Sequence, residues 1–332
     1  MSSILKDLSN PTCLPDKTES VSVVQTHISF VFIADEFVYK VKKPVNLGFL
    51  DFSTLKKREY YCQQEIILNR RLSKDVYIDV LPITYEKGNY TMGRGQGRVV
   101  EYAVKMRRLP DEMLMKSVFL KGKLKDEHLK KVALILSNFH STAEYSNEIS
   151  KFGRPETFKI NTDENFAQTR KYIGKTIEKS DFSALESWTE NFYKSNGDLF
   201  LNRIKQKKIR DCHGDLHMEH IYLAEGIPII DCIEFNDRFR YTDIVSDIAF
   251  LLMDLEYHGG YEFSKKLWRF YNESGLESGV DSLITFYKVY RAYVRGKVNS
   301  FQLDDDNINE EKKEDAIQTS QKYFKLARSY IE

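Results

Sequence analysis

The spacing of apolar residues changes about a third of the way along the chain. Between residues 21 and 43, β-rich sequence falls in three short runs, Val21–Gln25, Ser29–Ile33 and Phe37–Lys43. Thr26-His27-Ile28 and Ala34-Asp35-Glu36 separate them, and short β-rich runs with tight breaks predict an antiparallel meander. Phe52-Ser53-Thr54 then opens a stretch of helical spacing over about 54–72, with Ser53 placed as its cap. Two more strands are expected at Val76–Ile83 and Val99–Met106, around a turn at Gly88-Asn89 and the run Gly93-Arg94-Gly95-Gln96-Gly97. That glycine run lies between strands and opens no helix, so it reads as a hairpin turn and not as a phosphate loop. After Pro110 the period lengthens. Helices are expected over 111–120 and over 126–147, where Leu129, Val132, Ala133, Leu136 and Phe139 form one stripe. Two or three more fall within 162–206, and Asp243–Tyr257, Tyr261–Glu273, Ser282–Ser300 and Asn309–Ile331 complete the series. Between them, Ile221–Leu223 and Ile227–Ile230 flank Ala224-Glu225-Gly226 and predict a hairpin. The expected fold class is α+β and bilobal: a small antiparallel β N-lobe over 1–108 and a mainly helical C-lobe over 109–332.

Composition adds limits. The chain has 332 residues and 42% hydrophobic content, ample for a core. A formal net charge of +1 supplies no global field toward nucleic acid or an anionic membrane, and neither partner is expected. Cys13, Cys62, Cys212 and Cys232 lack C-x-x-C spacing, and no stretch approaches 18 uninterrupted apolar residues. Reduced thiols and a cytoplasmic location are the expectation. The run Asp304-Asp305-Asp306 reads as a loop with a helix-start signal, not as a metal site.

The chemistry concentrates in residues 211–236. Asp215 precedes the first arm of the predicted hairpin and Asp231 follows the second, so a chain that folds back brings both carboxylates to one end. With His217 and His220 between them and His213 just before, such a pair can hold a divalent cation while one carboxylate takes a proton from an attacking hydroxyl. A second concentration is on the third strand. Lys40, Lys42 and Lys43 are candidates for a functional cation, and alternation puts Lys40 and Lys42 on one face. In the 54–72 helix, Glu65 shares its face with Leu68 and Leu72; a carboxylate on a buried face needs a partner, and a lysine of the adjacent strand is the natural one, with Glu59 as the fallback acid. The helix's basic residues, Lys56, Lys57, Arg58, Arg70 and Arg71, read as its solvated face.

His213-Gly214-Asp215-Leu216-His217 resembles the catalytic loop of the aminoglycoside phosphotransferase (APH)-like branch of the protein-kinase-like fold. Downstream, Thr242-Asp243-Ile244-Val245-Ser246-Asp247-Ile248-Ala249 resembles that family's G-D-P-x-x-D-L-A stretch. The resemblance spans about residues 20–260. It implies an ATP-dependent phosphotransferase that uses Mg2+ (or Mn2+) and acts on a hydroxyl of a small molecule, sugar-like, amino alcohol or aminoglycoside-like. Asp215 is then the proton acceptor, His213 braces its loop, and Asp247 supports that loop from a helix, with Asp243 nearby. Asp231 is the metal ligand at the position of the kinase D-F-G aspartate. The Lys40–Glu65 pair positions the phosphates. Met106, Arg107 and Arg108 begin a hinge, running to Pro110, whose backbone pairs with adenine. His220 stands where the family has a metal-binding Asn, so Glu234 is expected to supply a further oxygen to the metal, the alternative being a salt bridge to Arg238 or Arg240. The loop Thr26-His27-Ile28-Ser29, where the fold has its phosphate-covering glycines, has none. Two other readings remain: a kinase-like nucleotide-binding protein without activity, and a zinc hydrolase using His213, His217 and His220 with Asp215.

Overall fold

The computed structural model describes residues 2–273, 275–305 and 308–332. It forms two compact units, Met1–Lys123 with Glu219–Asp237, and Leu124–Met218 with Arg238–Glu332. The first unit thus extends past residue 108 and takes in a second, later segment.

The first unit begins with a short helix α1 (Ser2–Leu8) and strands β1 (Ser22–Gln25), β2 (Ser29–Ile33) and β3 (Phe37–Lys42). Helix α2 (Leu55–Asn69) follows, capped by the Thr54 side chain, and then β4 (Tyr77–Glu86), β5 (Asn89–Met92), β6 (Arg98–Arg107) and helix α3 (Met115–Leu120). The six strands make one antiparallel sheet in the order β1-β2-β3-β6-β4-β5. Its two faces have separate cores, as alternation requires. Phe30, Phe32, Tyr39, Val41 and Ala103 pack with Ile4, Leu8 and Leu14 from the N-terminal segment. Val38, Val104 and Met106 pack on the other face with Cys62 and Ile66 of α2. Lys40 and Lys42 follow Val38 by two and four residues and so face α2. The glycine run closes the β5–β6 connection as a turn: a Cβ on Gly97 would stand 2.3 Å from the Tyr85 carbonyl oxygen, so glycine is there for close packing.

The second unit is mainly helical. Helices α4 (Asp126–Thr142), α5 (Asn147–Ser150), α6 (Pro155–Thr169) and α7 (Lys179–Lys205) come first. α4 stops short of the expected residue 147; the Ser141 and Thr142 hydroxyls bond back to Asn138 O, and Ala143 is already extended. A two-stranded ladder, β7 (Ile209–Asp211) and β8 (Tyr241–Asp243), was not expected, since three residues per strand are too few for alternation to register. The single turn α8 (Asp237–Arg240) leads into β8. Helices α9 (Ile244–Tyr257), α10 (Tyr261–Asn272), α11 (Asp281–Ser300) and α12 (Glu310–Ser329) finish the chain. Every residue of α9 from Ile244 to Glu256 is buried, so it is the core helix. Phe250 and Met253 pack there with Val289, Ala292, Tyr293, Tyr323 and Phe324 of α11 and α12. Much of the high aromatic content lies in this unit's interior, including Phe158, Phe192, Phe200, Phe286 and Tyr287. Asp304 accepts hydrogen bonds from Lys171 and Tyr172, and Asn309 caps α12; Asp306 of the acidic run lies outside the described residues. Among the described residues, no helix is long and apolar enough to cross a membrane.

Candidate functional site

Each unit carries its own constellation. In the first, the two lysines of β3 meet three carboxylates. Lys40 Nζ lies 3.0 Å from Glu65 Oε1 and 2.6 Å from Asp231 Oδ1. Lys42 Nζ lies 2.6 Å from Glu65 Oε2 and is hydrogen-bonded to Glu234 Oε1. The expected Lys40–Glu65 contact is therefore present, but Glu65 is shared, one oxygen to each lysine. Glu59 is not the acid that faces Lys40. Glu65 and Lys42 are 0% and 1% exposed, while the Lys40 side chain keeps 14% and Asp231 42%. Burial alone would raise the Glu65 carboxyl, but Lys40 and Lys42 outweigh it and hold it below the ordinary range. Burial dominates at Glu234 and pushes its carboxyl up, against the pull of Lys42.

Asp231 is aimed by its backbone. Its φ of +61° is a left-handed conformation that Asp tolerates better than most residues. Its amide donates to Tyr77 Oη (3.1 Å), and the next amide, Cys232, donates to Asn69 Oδ1 at the end of α2 (2.8 Å). The preceding hairpin is weaker than predicted. Only Ile221 and Ile229 form a bridge, because Pro228 has no N–H and Ile227 is also left-handed (φ +46°). The turn still returns the chain: Ile230 N–H donates to His220 O (2.9 Å), and His220 Nε2 stands 3.6 Å from Asp231 Oδ2.

Glu234 Oε1 is committed to Lys42, while Arg238 is forked by Glu164 and Arg240 is bonded to Asp211. The hinge amides are also committed elsewhere. Arg107 N–H donates to Val76 O (2.8 Å) and Arg108 N–H to Glu36 O (2.9 Å), while Met106 is a sheet residue 9% exposed. An adenine edge would have to use other groups of the stretch. The set that can meet a divalent cation in this unit is thus the half-exposed Asp231 carboxylate with the His220 imidazole. A carboxylate suits Mg2+, and the added nitrogen suits Mn2+ as well.

In the second unit the loop after β7 is held by one carboxylate. Asp247, in the first turn of α9, accepts the amides of His213 (3.0 Å) and Gly214 (2.9 Å), one on each oxygen. His140 Nε2 is 3.2 Å from the same group, and His140 Nδ1 is 2.8 Å from Tyr271 Oη. Burial would raise the Asp247 carboxyl; the His140 hydrogen bond, His213 and Arg291 outweigh it and hold it far below the usual range. Gly214 has φ +86°, and Arg291 of α11 donates to its carbonyl (2.8 Å). Asp215 follows this fixed turn with its side chain 35% exposed, and His217 Nε2 is 3.5 Å from its Oδ2. His213 is fully buried, and its Nδ1 accepts the Asp215 amide (3.3 Å), so it braces the loop. That use of the ring weighs against the three-histidine zinc alternative. Asp243 caps α9 through Val245 N (2.9 Å) and takes Arg203 in a fork (2.8 and 2.7 Å); Arg203 also binds Glu277. Sequence reasoning missed Arg203 and Arg291. Their signal was an arginine inside an otherwise buried helical stripe, as with Arg291 among Phe286, Tyr287 and Tyr290.

No family model matches the chain. An uncharacterized protein of Mycobacterium tuberculosis is 32% identical over 279 residues, 84% of this chain and 54% of that one, and a Mycobacterium bovis protein matches equally. The chain spans about half the length of these curated relatives. Among solved structures, aminoglycoside 2'-phosphotransferase-IIIa in its GDP complex matches with TM-score 0.56 at 14% identity, covering 99% of both chains. Amicoumacin kinase hAmiN, in complex with AMP-PNP and Ca2+, gives TM-score 0.54 at 12% identity over 98% of this chain and 93% of that one. A choline/ethanolamine kinase family protein from Mesorhizobium loti gives 0.53 at 12% identity over 99% and 98%. The chain shares the fold of these small-molecule kinases, an antiparallel sheet followed by a mainly helical part.

Proposed function

We propose that the protein transfers the γ-phosphoryl group of ATP to a hydroxyl of a small molecule, sugar-like, amino alcohol or aminoglycoside-like. The observation that carries this reading is the Lys40 ammonium held between buried Glu65 and half-exposed Asp231. A cation fixed by one carboxylate and presented beside another is what phosphate oxygens and a divalent ion require together. Lys40 orients the phosphates, and Asp231 with His220 holds the divalent ion. That ion, when bound, neutralises charge on the transferred group. Asp215, held by the Asp247 clamp, accepts the proton of the acceptor hydroxyl as its oxygen bonds to phosphorus and the bond to the ADP oxygen breaks. The fold is shared with an aminoglycoside phosphotransferase and an amicoumacin kinase, which supports a small-molecule acceptor.

The test is phosphorylation by purified protein with labelled ATP, and GTP in parallel, with Mg2+ or Mn2+, against a library of sugars, hydroxy acids, amino alcohols and aminoglycosides. Metal-dependent transfer to a hydroxyl is expected. Absence of transfer together with absence of any ATP-induced thermal shift under either metal would overturn the reading.

A further inference from the structure

One buried side chain in the first unit joins the two acids that hold Lys40. Asn69, the last residue of α2, is 1% exposed. Its Nδ2 donates to the Glu65 carbonyl one turn back (2.8 Å), and its Oδ1 accepts the Cys232 amide (2.8 Å), 163 residues further on. The partners fix which way the amide faces, since a carbonyl can only accept and a peptide N–H can only donate. These bonds close a ring. Lys40 Nζ meets Glu65 Oε1 (3.0 Å) and Asp231 Oδ1 (2.6 Å), Asp231 is followed by Cys232, and Asn69 returns the path to Glu65.

An asparagine that only capped its own turn would not reach out of the helix. The residues after it join in the same contact. Leu72 O accepts the Ile229 amide (3.4 Å), Ser73 Oγ donates to Ile229 O, and Arg71 Nη2 lies 3.2 Å from Cys232 Sγ. Residues 229–232 are thus laid along the end of α2, and Asn69 is the member that also holds the backbone of Glu65. Asp231 requires such a hold, because a left-handed residue other than glycine persists only where its surroundings determine it.

We propose that Asn69 is a positioning residue for the phosphate-binding cation: it sets the spacing between the Glu65 and Asp231 carboxylates, and so the place of the Lys40 ammonium between them. This rests on the phosphotransferase reading for the phosphate, but not for the spacing. Asn69 acts through the two acids and touches no phosphate itself.

The test has two arms. Asn69→Leu keeps the size of the side chain and removes both bonds. In the first arm, hydrogen exchange is followed in peptides covering 229–234, at temperatures where circular dichroism shows both proteins folded. Exchange at the 231–232 amides should be about 10–100-fold faster in Asn69→Leu, with peptides of β4 and β6 unchanged. Equal exchange in the two proteins overturns the proposal. In the second arm, ATP affinity is measured by calorimetry in the unaltered protein, Asn69→Leu, Lys40→Ala and the double variant. Asn69→Leu should weaken ATP by about 10-fold, and less than about 2-fold further in the Lys40→Ala background, because the lysine through which it acts is gone. An equal loss with and without Lys40 marks a general loosening of the unit and refutes the positioning role. Asn69→Asp covers the case in which Asn69→Leu does not fold. It keeps an acceptor for the Cys232 amide and sets a carboxylate oxygen against the Glu65 carbonyl, so ATP should weaken while the 231–232 amides stay protected. Unaltered ATP affinity in Asn69→Asp overturns the two-ended link. Faster exchange in Asn69→Leu, in a protein that binds no ATP in any form, keeps the spacing assignment and removes the phosphotransferase reading.

Discussion

Lys42→Met should destabilise the first unit, and the reason is on the other side of its ammonium. The side chain is 1% exposed and bridges Glu65 to Glu234, two carboxylates that are themselves buried. Breaking a buried ion pair from one side costs about 3–5 kcal/mol, because the remaining charge has no partner. Two circumstances put this case at the low end, about 3 kcal/mol. Lys40 still faces Glu65 at 3.0 Å, and Glu234, already pushed up by burial, takes a proton in place of the lost cation. Glu234→Gln alone should cost about 1–2 kcal/mol, since Lys42 keeps Glu65. The double variant should then cost less than the sum by at least about 1.5 kcal/mol, the mark of a direct coupling. Both tryptophans, Trp188 and Trp268, lie in the second unit, so their fluorescence does not report this change. Hydrogen exchange of peptides covering β3 and α2 across a urea series does. Strict additivity of the two substitutions, or a Lys42→Met cost under about 1 kcal/mol, would refute the shared-carboxylate account.

Three further outcomes follow from the two constellations. Lys40→Ala should weaken ATP binding or turnover with little loss of fold, read by calorimetry and thermal shift; Lys42→Ala as the more damaging change to ATP affinity at intact fold would exchange their roles. Asp215→Asn should lower transfer on the order of 10²–10⁴-fold with nucleotide affinity nearly kept, in a coupled ADP assay, and full activity would remove Asp215 from the mechanism. The pH dependence of the second unit carries the sign of Lys297. Burial holds its folded value at about 8, below the ordinary 10.5, so the folded state binds fewer protons between them and stability rises with pH across that window. Glu164 and Arg238 are the charges that face it, and the contribution is bounded at roughly 3 kcal/mol. Lys297→Met should flatten that rise in urea melts followed by Trp188 and Trp268 fluorescence.

Alternation was enough to put Lys40 and Lys42 on one face and helical spacing to put Glu65 on a buried one, because each depends only on local periodicity; the Lys40–Glu65 pairing came from the family resemblance. They were not enough for Glu234, whose partner Lys42 is 192 residues away in the chain. A carboxylate three residues from Asp231 looks like a second metal ligand until the backbone is known, and at Asp231 the backbone is left-handed. The hinge amides are a related case. A strand's end is legible in sequence, but which of its amides face a neighbouring strand is set by register, and Arg107 and Arg108 are both taken. His140 is buried between Tyr271 and Asp247. What no periodicity announced is that this histidine helps hold the carboxylate that fixes the His213–Asp215 turn.

Burial separates the two β3 lysines where periodicity could not. Both point to the α2 face and both touch Glu65, so chemistry alone leaves either as the phosphate-binding cation. An ammonium that is 1% exposed and already bridges two buried carboxylates would have to abandon Glu234 to meet a phosphate, leaving that acid without a counter-charge. Lys40, at 14% exposure, bridges buried Glu65 to Asp231, the most accessible acid of the cluster at 42%. A phosphate with its divalent ion can replace the Lys40–Asp231 contact by two new ones, ammonium to phosphate and carboxylate to metal, so neither charge is stranded. Lys42 then has a different task. By holding one oxygen of Glu65, it leaves the other turned to Lys40, and the position of the cation proposed to meet the phosphate is set by a residue that does not.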